Sequence, residues 1–505
     1  MKMIIILRYF ISSISPNDNY LEKESLVNFF LDIDNIDNFE IAVQSLNGLF
    51  SVVVRKKKTI FLACDITRTF PIFYFQHKNI WIITDNANYI KNKYNPKFNE
   101  NVEKDFLCAG YVTGNQTLLE GIRQVQAAEI IKLEKSEIYS KEYWTYATNK
   151  ISQNNYQLLQ KELVTIYERV VNRLINLVKG KTVVVPLSGG YDSRLILALL
   201  IKYGYKNVIC FTYGQKNSPE IDIAKKIANK LKIKIEIIEY SKEFFDQQFV
   251  KEEYVNYIKY GSNFVSLSHI QDLYAVKYLK LNKLVPKDSI FIPGHTGGLF
   301  AGSQLSWNIN QNSSIKKVVS EIKKNHFSLN LGYYNNINYY HKDCFGFSNM
   351  DSWSWKERQS KFIVNSIRVY EYFGYKSIIP LWDKELANFF KRVPFKFKNR
   401  HYLNRYSLER NLYDFVAFSL FKEFKIDYKK KEKNLKKFIR IILKFTLSNE
   451  NFLKLKKIIN QKQSINNLEY LVTKVQSHTK SQSLKSPDIN GDFANAYINI
   501  LKDSL

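Results

Sequence analysis

The sequence is poor in cysteine, and its few thiols are scattered. Cys64, Cys108, Cys210 and Cys344 are the only cysteines among 505 residues, and neither a CxxC pair nor a nearby histidine cluster accompanies them. Disulfide scaffolds and structural zinc sites need cysteines at short, regular spacings. The scarcity therefore argues against both kinds of site and favours a reducing compartment, so we expect a cytoplasmic protein.

Long apolar runs are also missing. No stretch approaches the roughly 20 consecutive apolar residues that a membrane-spanning helix needs. The apolar residues 3–7 form a short run that Arg8 ends, which predicts a first β-strand and not a signal peptide. Since 45% of all residues are apolar, the chain can bury a sizeable core, and we expect a soluble, globular protein without a membrane span.

Acidic residues are outnumbered by basic ones. The chain has 75 Lys and Arg against 47 Asp and Glu, which gives a formal net charge of +28. A nucleic-acid or anionic-membrane partner would explain this charge, and so would a coding bias, because Lys, Asn and Ile are abundant everywhere. The bias is the commoner cause, so we do not predict a nucleic-acid partner.

The length predicts two or three domains. Residues 1–147 hold short β-branched and aromatic runs between turn residues, which predicts an antiparallel-sheet domain. After a polar linker, residues 155–425 alternate strand and helix patterns, which predicts a parallel, doubly wound sheet. Residues 426–505 have the pattern of a basic helical tail, which would dock on the protein itself or, less commonly, on a membrane or RNA. We expect roughly the last thirty residues to be weakly ordered.

Residues 183–200 carry the most specific motif, VVVPLSGGYDSRLILALL. The valine run predicts a strand buried on both faces, and the apolar residues from Leu195 onward recur at helical spacing. Paired glycines in the connecting loop let backbone N–H groups face a ligand, and the following helix adds its positive end. The sequence therefore predicts an anion-binding loop.

Asp192 within this loop points to a cation as well. A carboxylate suits a phosphate only when a divalent cation bridges the two, so a Mg²⁺-bound nucleotide is the favoured hypothesis, with Ser188 and Ser193 as hydroxyl donors. The alternative is a plain strand-to-helix turn in which Asp192 and Ser193 cap the helix.

A second glycine-rich loop follows the buried-type run 289–293 and comprises Gly294, His295, Thr296, Gly297 and Gly298. Ligands of doubly wound sheets bind beyond the carboxyl ends of the strands. We therefore expect the two loops to be neighbours. A ligand contact and a plain tight turn are equally open for the second one.

Two charged residues, Arg368 and Asp383, stand in the aromatic-rich region 353–394. Charged groups in an apolar setting need partners. Ion pairs and a bound anion are both open.

At this point the residues resemble a known family. SGGYDS after VVVPL resembles the pyrophosphate loop of the N-type ATP pyrophosphatases, as it occurs in asparagine synthetases and their relatives. In the N-terminal part, residues 46–50 (LNGLF), 65–68 (DITR) and 71–74 (PIFY) resemble late strands of the family's glutaminase domain, and residues 114–122 (GNQTLLEGI) resemble its closing segment.

This resemblance implies an α/β fold with a C-terminal doubly wound parallel sheet of the adenine nucleotide α-hydrolase type. A smaller α+β domain, similar to a truncated Ntn-type glutaminase sandwich, would precede it. The implied activity is that of an ATP-dependent amide ligase with ATP and Mg²⁺ as cofactors. A small-molecule or peptide carboxylate would be adenylated with release of pyrophosphate, and ammonia or an amine would then form the amide, as in asparagine biosynthesis.

The resemblance also implies site residues. Asp192 would bind the metal, and Asp192, His295 and Arg405 would be catalytic. The nucleotide would lie against Leu187, Ser188, Gly189, Gly190, Asp192, Ser193, Phe211, Thr212, Tyr213 and Gly294.

Several positions depart from the family pattern. Glutamine-hydrolysing members carry a cysteine after the initiator methionine, whereas this chain has Lys2, so we expect glutaminase activity to be lost. Where the family has acidic residues in the second loop, this chain has His295, Gly298 and Leu299. Arg405 stands in place of a lysine and cannot donate a proton in the same way.

Three functions remain open from the sequence. The leading hypothesis is an amide ligase that uses ammonia or an amine. The second is a catalytically impaired relative that binds a nucleotide or a partner through the same scaffold. The third is a tRNA-modifying pyrophosphatase, which the basic charge suggests.

Overall fold

The computed structural model describes residues 2–12, 23–152, 154–306, 308–330, 337, 339–398, 411–424 and 489–503. They form an N-terminal α+β unit and a larger α/β unit around a parallel sheet, so the predicted fold class is confirmed.

The N-terminal unit is built from two antiparallel sheets that face each other. One has the strand order β1-β2-β3-β7-β8, and the other has the order β5-β4-β6. Val53, Leu62 and Ile131 of the first sheet share an apolar cluster with Tyr74 and Ile83 of the second, which is the packing of a sandwich. The strands are β1 Lys2–Ser12, β2 Asn47–Lys56, β3 Thr59–Cys64, β4 Phe73–His77, β5 Ile80–Thr84, β6 Arg123–Gln124, β7 Glu129–Glu134 and β8 Glu137–Glu142.

The second unit is organised by a five-stranded parallel sheet in the order β11-β10-β9-β12-β13. Its central strand is the predicted valine run, and Val183, Val184 and Val185 are fully buried, as expected for a strand covered on both faces. The strands are β9 Val183–Pro186, β10 Val208–Gly214, β11 Lys234–Glu239, β12 Ile290–Phe291 and β13 Lys376–Ser377.

Helices surround both sheets. Those of the N-terminal unit are α1 Lys23–Phe29, α2 Ile36–Ser45, α3 Ala87–Tyr94 and α4 Glu100–Ala109. Those that follow as far as the second glycine-rich loop are α5 Tyr156–Leu177, α6 Tyr191–Lys202, α7 Pro219–Leu231, α8 Lys242–Gln248, α9 Lys251–Ser262 and α10 Leu273–Leu281. The later ones are α11 Gly297–Phe300, α12 Ile315–His326, α13 Gly346–Trp353, α14 Arg368–Tyr372, α15 Lys384–Lys391, α16 Phe395–Lys398, α17 Leu412–Glu423 and α18 Ile489–Asp503.

The two charges that needed partners both have them. Arg173 of α5 pairs with Asp383 at 2.9 Å, and Asn47 of β2 also donates to this carboxylate, at 3.2 Å. Arg368 pairs with Glu371 at 2.6 Å and donates to a backbone carbonyl of the N-terminal unit. Ion pairing is thus found for both charges, and these contacts join the two units.

Helix α18 contradicts the expectation of a weakly ordered end. Residues 491–501 are buried or half-buried, and Tyr497 stacks on Phe106 of α4 with a centroid distance of 5.3 Å. Lys502 pairs with Glu103 at 2.8 Å. The basic, amphipathic part of the tail, residues 429–443, lies outside the described residues. Within the described ranges, no helix has both the length and the apolar character needed to cross a membrane.

Candidate functional site

The candidate site lies where the strand order of the parallel sheet reverses. From β9 the chain proceeds through β10 to β11 on one side, and β12 then pairs with the other side of β9. Crevices that bind ligands form at such switch points, beyond the carboxyl ends of the strands. The first glycine loop, residues 187–193, follows β9 and includes the first residues of α6, and the second, residues 294–298, follows β12.

The first glycine loop is held by its own hydroxyl groups. The Ser188 N–H donates to Oγ of Ser193 at 3.2 Å, and the two serine hydroxyls lie 3.2 Å apart. The Gly190 N–H donates to Oγ of Ser188 at 3.1 Å. Ser188 and Gly190 are exposed, so this folded loop presents polar groups to solvent at the beginning of α6.

Helix α6 begins without a side-chain cap. Gly190, which has no side chain, occupies the N-cap position, so neither Asp192 nor Ser193 is the N-cap residue. Instead, Oδ1 of Asp192 accepts a hydrogen bond of 2.7 Å from the Tyr413 hydroxyl of α17. The first N–H groups of a helix have no acceptor within the helix and carry its positive end. The loop thus has the features of an anion site.

The second glycine loop packs directly against the first. A Cβ added to Gly294 would lie 2.5 Å from the nitrogen of Ser193, and one added to Gly297 would lie 2.5 Å from Cγ of Asp192. The one at Gly297 would also overlap the Tyr413 hydroxyl. The expectation that the two loops are neighbours is confirmed. Glycine is needed here because the backbones approach closely.

His295 contacts a side chain outside both loops. Its Nε2 lies 2.7 Å from Oγ of Ser366. Burial, together with the nearby His269, lowers the pKa of His295 to about 4, against the opposing effect of Asp272. The ring is therefore neutral at physiological pH and can accept or donate one hydrogen bond.

A polar cluster beside His295 was not identified from the sequence. The buried carboxylate of Asp272 accepts hydrogen bonds from the hydroxyls of Tyr213 and Tyr370, and it lies 3.1 Å from Nε2 of His269. Burial raises the pKa of Asp272, but His269 and the hydroxyl donors outweigh burial and lower it to about 2. The carboxylate of Asp272 is therefore ionised at neutral pH. The spacing of His269 and Asp272 before an apolar helix was a weak signal that also suits an ordinary helix cap.

Other predicted site residues lie in less accessible places. The side chains of Leu187, Phe211 and Thr212 are buried, so they can border a ligand only through the backbone. The Leu187 N–H donates to the carbonyl of Phe211 at 2.8 Å, which fixes the first loop to β10. Gly298 and Leu299 lie in α11, where Leu299 is buried in the core. Arg405 lies outside the described residues.

The residues present suit a magnesium ion that a nucleotide brings with it. The described ranges contain no group of three or more His, Cys, Asp and Glu side chains that could enclose a metal. Mg²⁺ is commonly held by one or two carboxylates together with substrate phosphates. Asp192 at the beginning of α6 can supply such a carboxylate.

The described thiols do not have the surroundings of a nucleophile. Cys64, Cys108 and Cys210 are buried, and Cys344 is half-buried. Burial raises the pKa of Cys64, and it raises the pKa of Cys210 to about 12. Because thiolates are the reactive form, these two thiols are expected to be inert at neutral pH.

Two family models match separate parts of the chain. Residues 38–144 match the model described as "Glutamine amidotransferase domain", and residues 182–268 match "Queuosine biosynthesis protein QueC". The second match begins at the central strand and contains the first glycine loop. The pair supports a two-domain architecture like that of asparagine synthetases, without specifying a member.

Curated relatives match over a short segment. The 7-cyano-7-deazaguanine synthase of Caldicellulosiruptor saccharolyticus is 44% identical over 59 residues, which is 12% of this chain and 26% of the relative. The enzyme of the same description from Microcystis aeruginosa is 44% identical over 55 residues, or 11% and 24% of the two chains. The chain thus spans about a quarter of the length of these relatives.

Solved structures give low overall similarity. NMN synthetase from Francisella tularensis shares 16% identity over 30% of this chain and 59% of its own, with a TM-score of 0.20. NH3-dependent NAD synthetase from Campylobacter jejuni shares 19% identity over 34% of this chain and 74% of its own, with a TM-score of 0.19. Glutamine phosphoribosylpyrophosphate amidotransferase from B. subtilis shares 8% over 54% of each chain, with a TM-score of 0.18. Scores of this size add nothing to the fold described above.

Proposed function

We propose that this protein is an ATP-dependent amide ligase of the asparagine-synthetase-like type. The observation that carries the proposal is the first glycine loop. It exposes Ser188 and Gly190 at the beginning of α6, lies at the switch point of the sheet, and falls within the segment that matches the QueC family model. We propose three parts: residues 1–147 form an amidotransferase-like domain, residues 155–425 form the ligase domain, and residues 426–505 form a tail.

In the first step, a carboxylate oxygen of the substrate attacks the α-phosphorus of ATP. The bond between the α-phosphorus and the bridging oxygen breaks, and pyrophosphate leaves with the electron pair. The amides of the first loop and the hydroxyls of Ser188 and Ser193 hold the β- and γ-phosphates and stabilise the developing charge. Asp192 would hold Mg²⁺, which supplies charge neutralisation when bound. The product of this step is an acyl-adenylate.

In the second step, ammonia or an amine attacks the acyl carbon, AMP leaves, and the nitrogen loses a proton. The cluster of Asp272, His269 and Tyr213 lies beyond β10, next to the second loop. We assign His269, oriented by Asp272, to accept that proton, with His295 as a neutral hydrogen-bonding group beside it. Because the described thiols are unsuited to glutamine hydrolysis, we assign free ammonia or an amine as the nitrogen source.

The test starts from the full-length protein with Mg-ATP and a panel of amino acids and dicarboxylic acids. Pyrophosphate release is measured with ammonium or hydroxylamine present, because hydroxylamine converts an acyl-adenylate into a coloured hydroxamate. The expected result is release that depends on one carboxylate and that falls at least 100-fold in Asp192→Asn. Equal release by Asp192→Asn would refute the assignment of the loop.

Asp288→Asn is the matched control for this test. Asp288 is an exposed aspartate that pairs with Lys181 at 2.7 Å, before β12 and away from the loop. This variant should release pyrophosphate at the unaltered rate. A similar loss in both variants would mean that Asp192→Asn acts through general damage to the protein.

A second function is favoured by the crowding around Asp192. Its Oδ1 already accepts from Tyr413, and Gly297 lies against its carboxylate. A protein that binds a nucleotide without turnover would retain such contacts. Calorimetry that shows ATP binding, with no exchange of labelled pyrophosphate into ATP for any acid of the panel, would favour this function over the ligase.

A further inference from the structure

A buried arginine donates hydrogen bonds to the backbone of the first glycine loop. Arg194 lies one turn into α6, and only 2% of its surface is exposed. Its Nε donates to the Gly190 carbonyl at 3.0 Å, and an Nη donates to the Gly189 carbonyl at 2.7 Å. The guanidinium lies 5.0 Å from the ring centre of Tyr191 and 5.2 Å from that of Phe421 in α17.

These two hydrogen bonds fix the direction of two peptide units. In a planar trans peptide, the carbonyl and the N–H of the next residue point in opposite directions. The Gly190 N–H therefore points away from Arg194, and it is found donating to Ser188. By the same geometry, the Tyr191 N–H must also point away from the guanidinium, towards the exposed side of the loop.

A glycine pair would otherwise leave these peptide units free to rotate. Glycine adopts many backbone conformations, and ordering them on binding costs free energy that reduces affinity. A buried guanidinium has a fixed, planar set of donors, which suits it to hold two carbonyls at once. It also places a positive charge directly behind an anion-binding loop.

We propose that Arg194 is the positioning residue of the pyrophosphate loop. It holds the carbonyls of Gly189 and Gly190, so that the N–H groups of Gly190 and Tyr191 already point away from the guanidinium before any ligand arrives. The inference rests on the proposed function, since it assumes that the loop binds the pyrophosphate group of ATP.

The alternative is that Arg194 only anchors α6 to α17 through the rings of Tyr191 and Phe421. Arg194→Met separates the two roles, because methionine keeps an unbranched, polarisable chain between the rings but has no donor. Arg194→Lys keeps the charge and offers a donor without the planar fork. A purely anchoring role predicts that methionine is tolerated for ligand binding.

The experiment is calorimetric titration of the full-length protein with inorganic pyrophosphate and with ATP, each in the presence of Mg²⁺. We expect Arg194→Met to weaken pyrophosphate binding at least tenfold and Arg194→Lys to weaken it less. Hydrogen exchange of the free protein should be faster in residues 188–194 of Arg194→Met and unchanged elsewhere. Millimolar guanidinium should restore part of the affinity of Arg194→Ala.

Arg392→Met is the matched control. Arg392 also donates its Nε to the carbonyl four residues earlier, that of Asn388, at 3.1 Å, but it does so at the end of α15. Its loss should leave pyrophosphate binding unchanged. If Arg194→Met unfolds, pyrophosphate binding and hydrogen exchange of the Arg194→Lys variant decide: weaker binding with faster exchange in residues 188–194 supports the role of Arg194, and unchanged binding with unchanged exchange overturns it.

The outcomes separate the two claims. Pyrophosphate binding by Arg194→Met equal to that of the unaltered protein, with unchanged exchange, would overturn the role of Arg194 and leave the ligase proposal standing. If the unaltered protein binds neither pyrophosphate nor ATP, the proposed function fails, and the role of Arg194 fails with it.

Discussion

The two glycine loops stand side by side, but glycine serves a different purpose in each. In the first loop, a Cβ on Gly190 would meet only Oγ of Ser188, at 3.1 Å, and would otherwise project into open space. In the second, a Cβ on Gly294 or Gly297 would run into the backbone or the carboxylate of the first loop. Glycine leaves open space beside the first loop, whereas in the second loop it makes room for the backbone and the carboxylate of the first loop.

This contrast shows that glycine in a loop does not by itself indicate a ligand contact. For the second loop, the sequence left a ligand contact and a tight turn equally open. The structure adds a third cause, the close approach of two loops that follow adjacent strands of one sheet. Substitutions in the second loop should therefore reduce both stability and binding, whereas substitutions in the first loop should reduce binding with little effect on stability.

The largest expected effect is that of Gly297→Ala in the second loop. Its Cβ would overlap the carboxylate of Asp192, so one loop must move. We expect the free energy of unfolding to fall by about 3 kcal/mol, as for a severe overpacking substitution, with ATP binding lost as well. Urea unfolding checks the first effect and calorimetry the second. An unchanged unfolding midpoint would show that the loops are not packed as described.

The next effect concerns His295 and pH. Because the pKa of His295 is about 4 in the folded protein and the ordinary pKa of histidine is 6.5, the unfolded chain takes up a proton first as the pH falls. His295 therefore leaves the free energy of unfolding unchanged above pH 6.5. Between pH 6.5 and pH 4 it lowers the free energy of unfolding, by about 2 kcal/mol at pH 5. His295→Gln should remove this loss.

Urea unfolding at pH 7.5 and pH 5.0 measures this change. His326→Gln serves as the comparison, because burial lowers the pKa of His326, in α12, to about 3. Removing this histidine should also reduce the acid-induced loss of stability. If His295→Gln shows the full acid-induced loss while His326→Gln does not, the second loop does not bury its histidine.

A smaller effect is expected for Gly190→Ala in the first loop. The new methyl group enters open space, so unfolding should change by less than about 1 kcal/mol, the scale of an N-cap substitution. Under the proposed function, ATP affinity should nevertheless fall about tenfold, or about 1.4 kcal/mol, because the methyl group would occupy the side on which the phosphates bind. Titration calorimetry with ATP and with pyrophosphate measures the affinities, and urea unfolding measures the stability. A loss of stability equal to that of Gly297→Ala would abolish the distinction between the loops.

The smallest effect is expected for Tyr413→Phe, which removes the hydroxyl between the two loops. One hydrogen bond to Asp192 is lost, which corresponds to about 1 kcal/mol of unfolding free energy. A double-mutant cycle with Asp192→Asn measures the coupling between the two side chains. Purely additive losses would mean that this bond does not form in solution.

Much of the fold followed from local patterns. The valine run is found as β9 Val183–Pro186, and the helical spacing from Leu195 onward lies in α6 Tyr191–Lys202, because continuous apolar runs and helical periodicity record which faces are buried. The position of the two loops followed from a rule of sheet topology. By contrast, β12 has only two residues, and a run at 289–293 could not show where pairing stops.

The polar cluster could not be predicted in the same way. Asp272 meets partners 59 and 98 residues away, and no local pattern encodes such contacts. Tyr213 was predicted to border adenosine, yet its hydroxyl donates to Asp272. The order of α18 was missed for a related reason, since it depends on tertiary packing against α4 rather than on a strong local pattern.

The contact of α18 with α4 has a consequence for how the chain folds. Lys502 and Glu103 are separated by 399 positions, so their meeting closes a very long loop. Such contacts are slow to form, because chain entropy must be lost before they contribute. We therefore expect the apolar surface that Phe106 shares with Tyr497 to stay uncovered until residues 489–503 have been synthesised. Until then, an exposed apolar surface on the N-terminal unit would favour contacts with chaperones and with other chains.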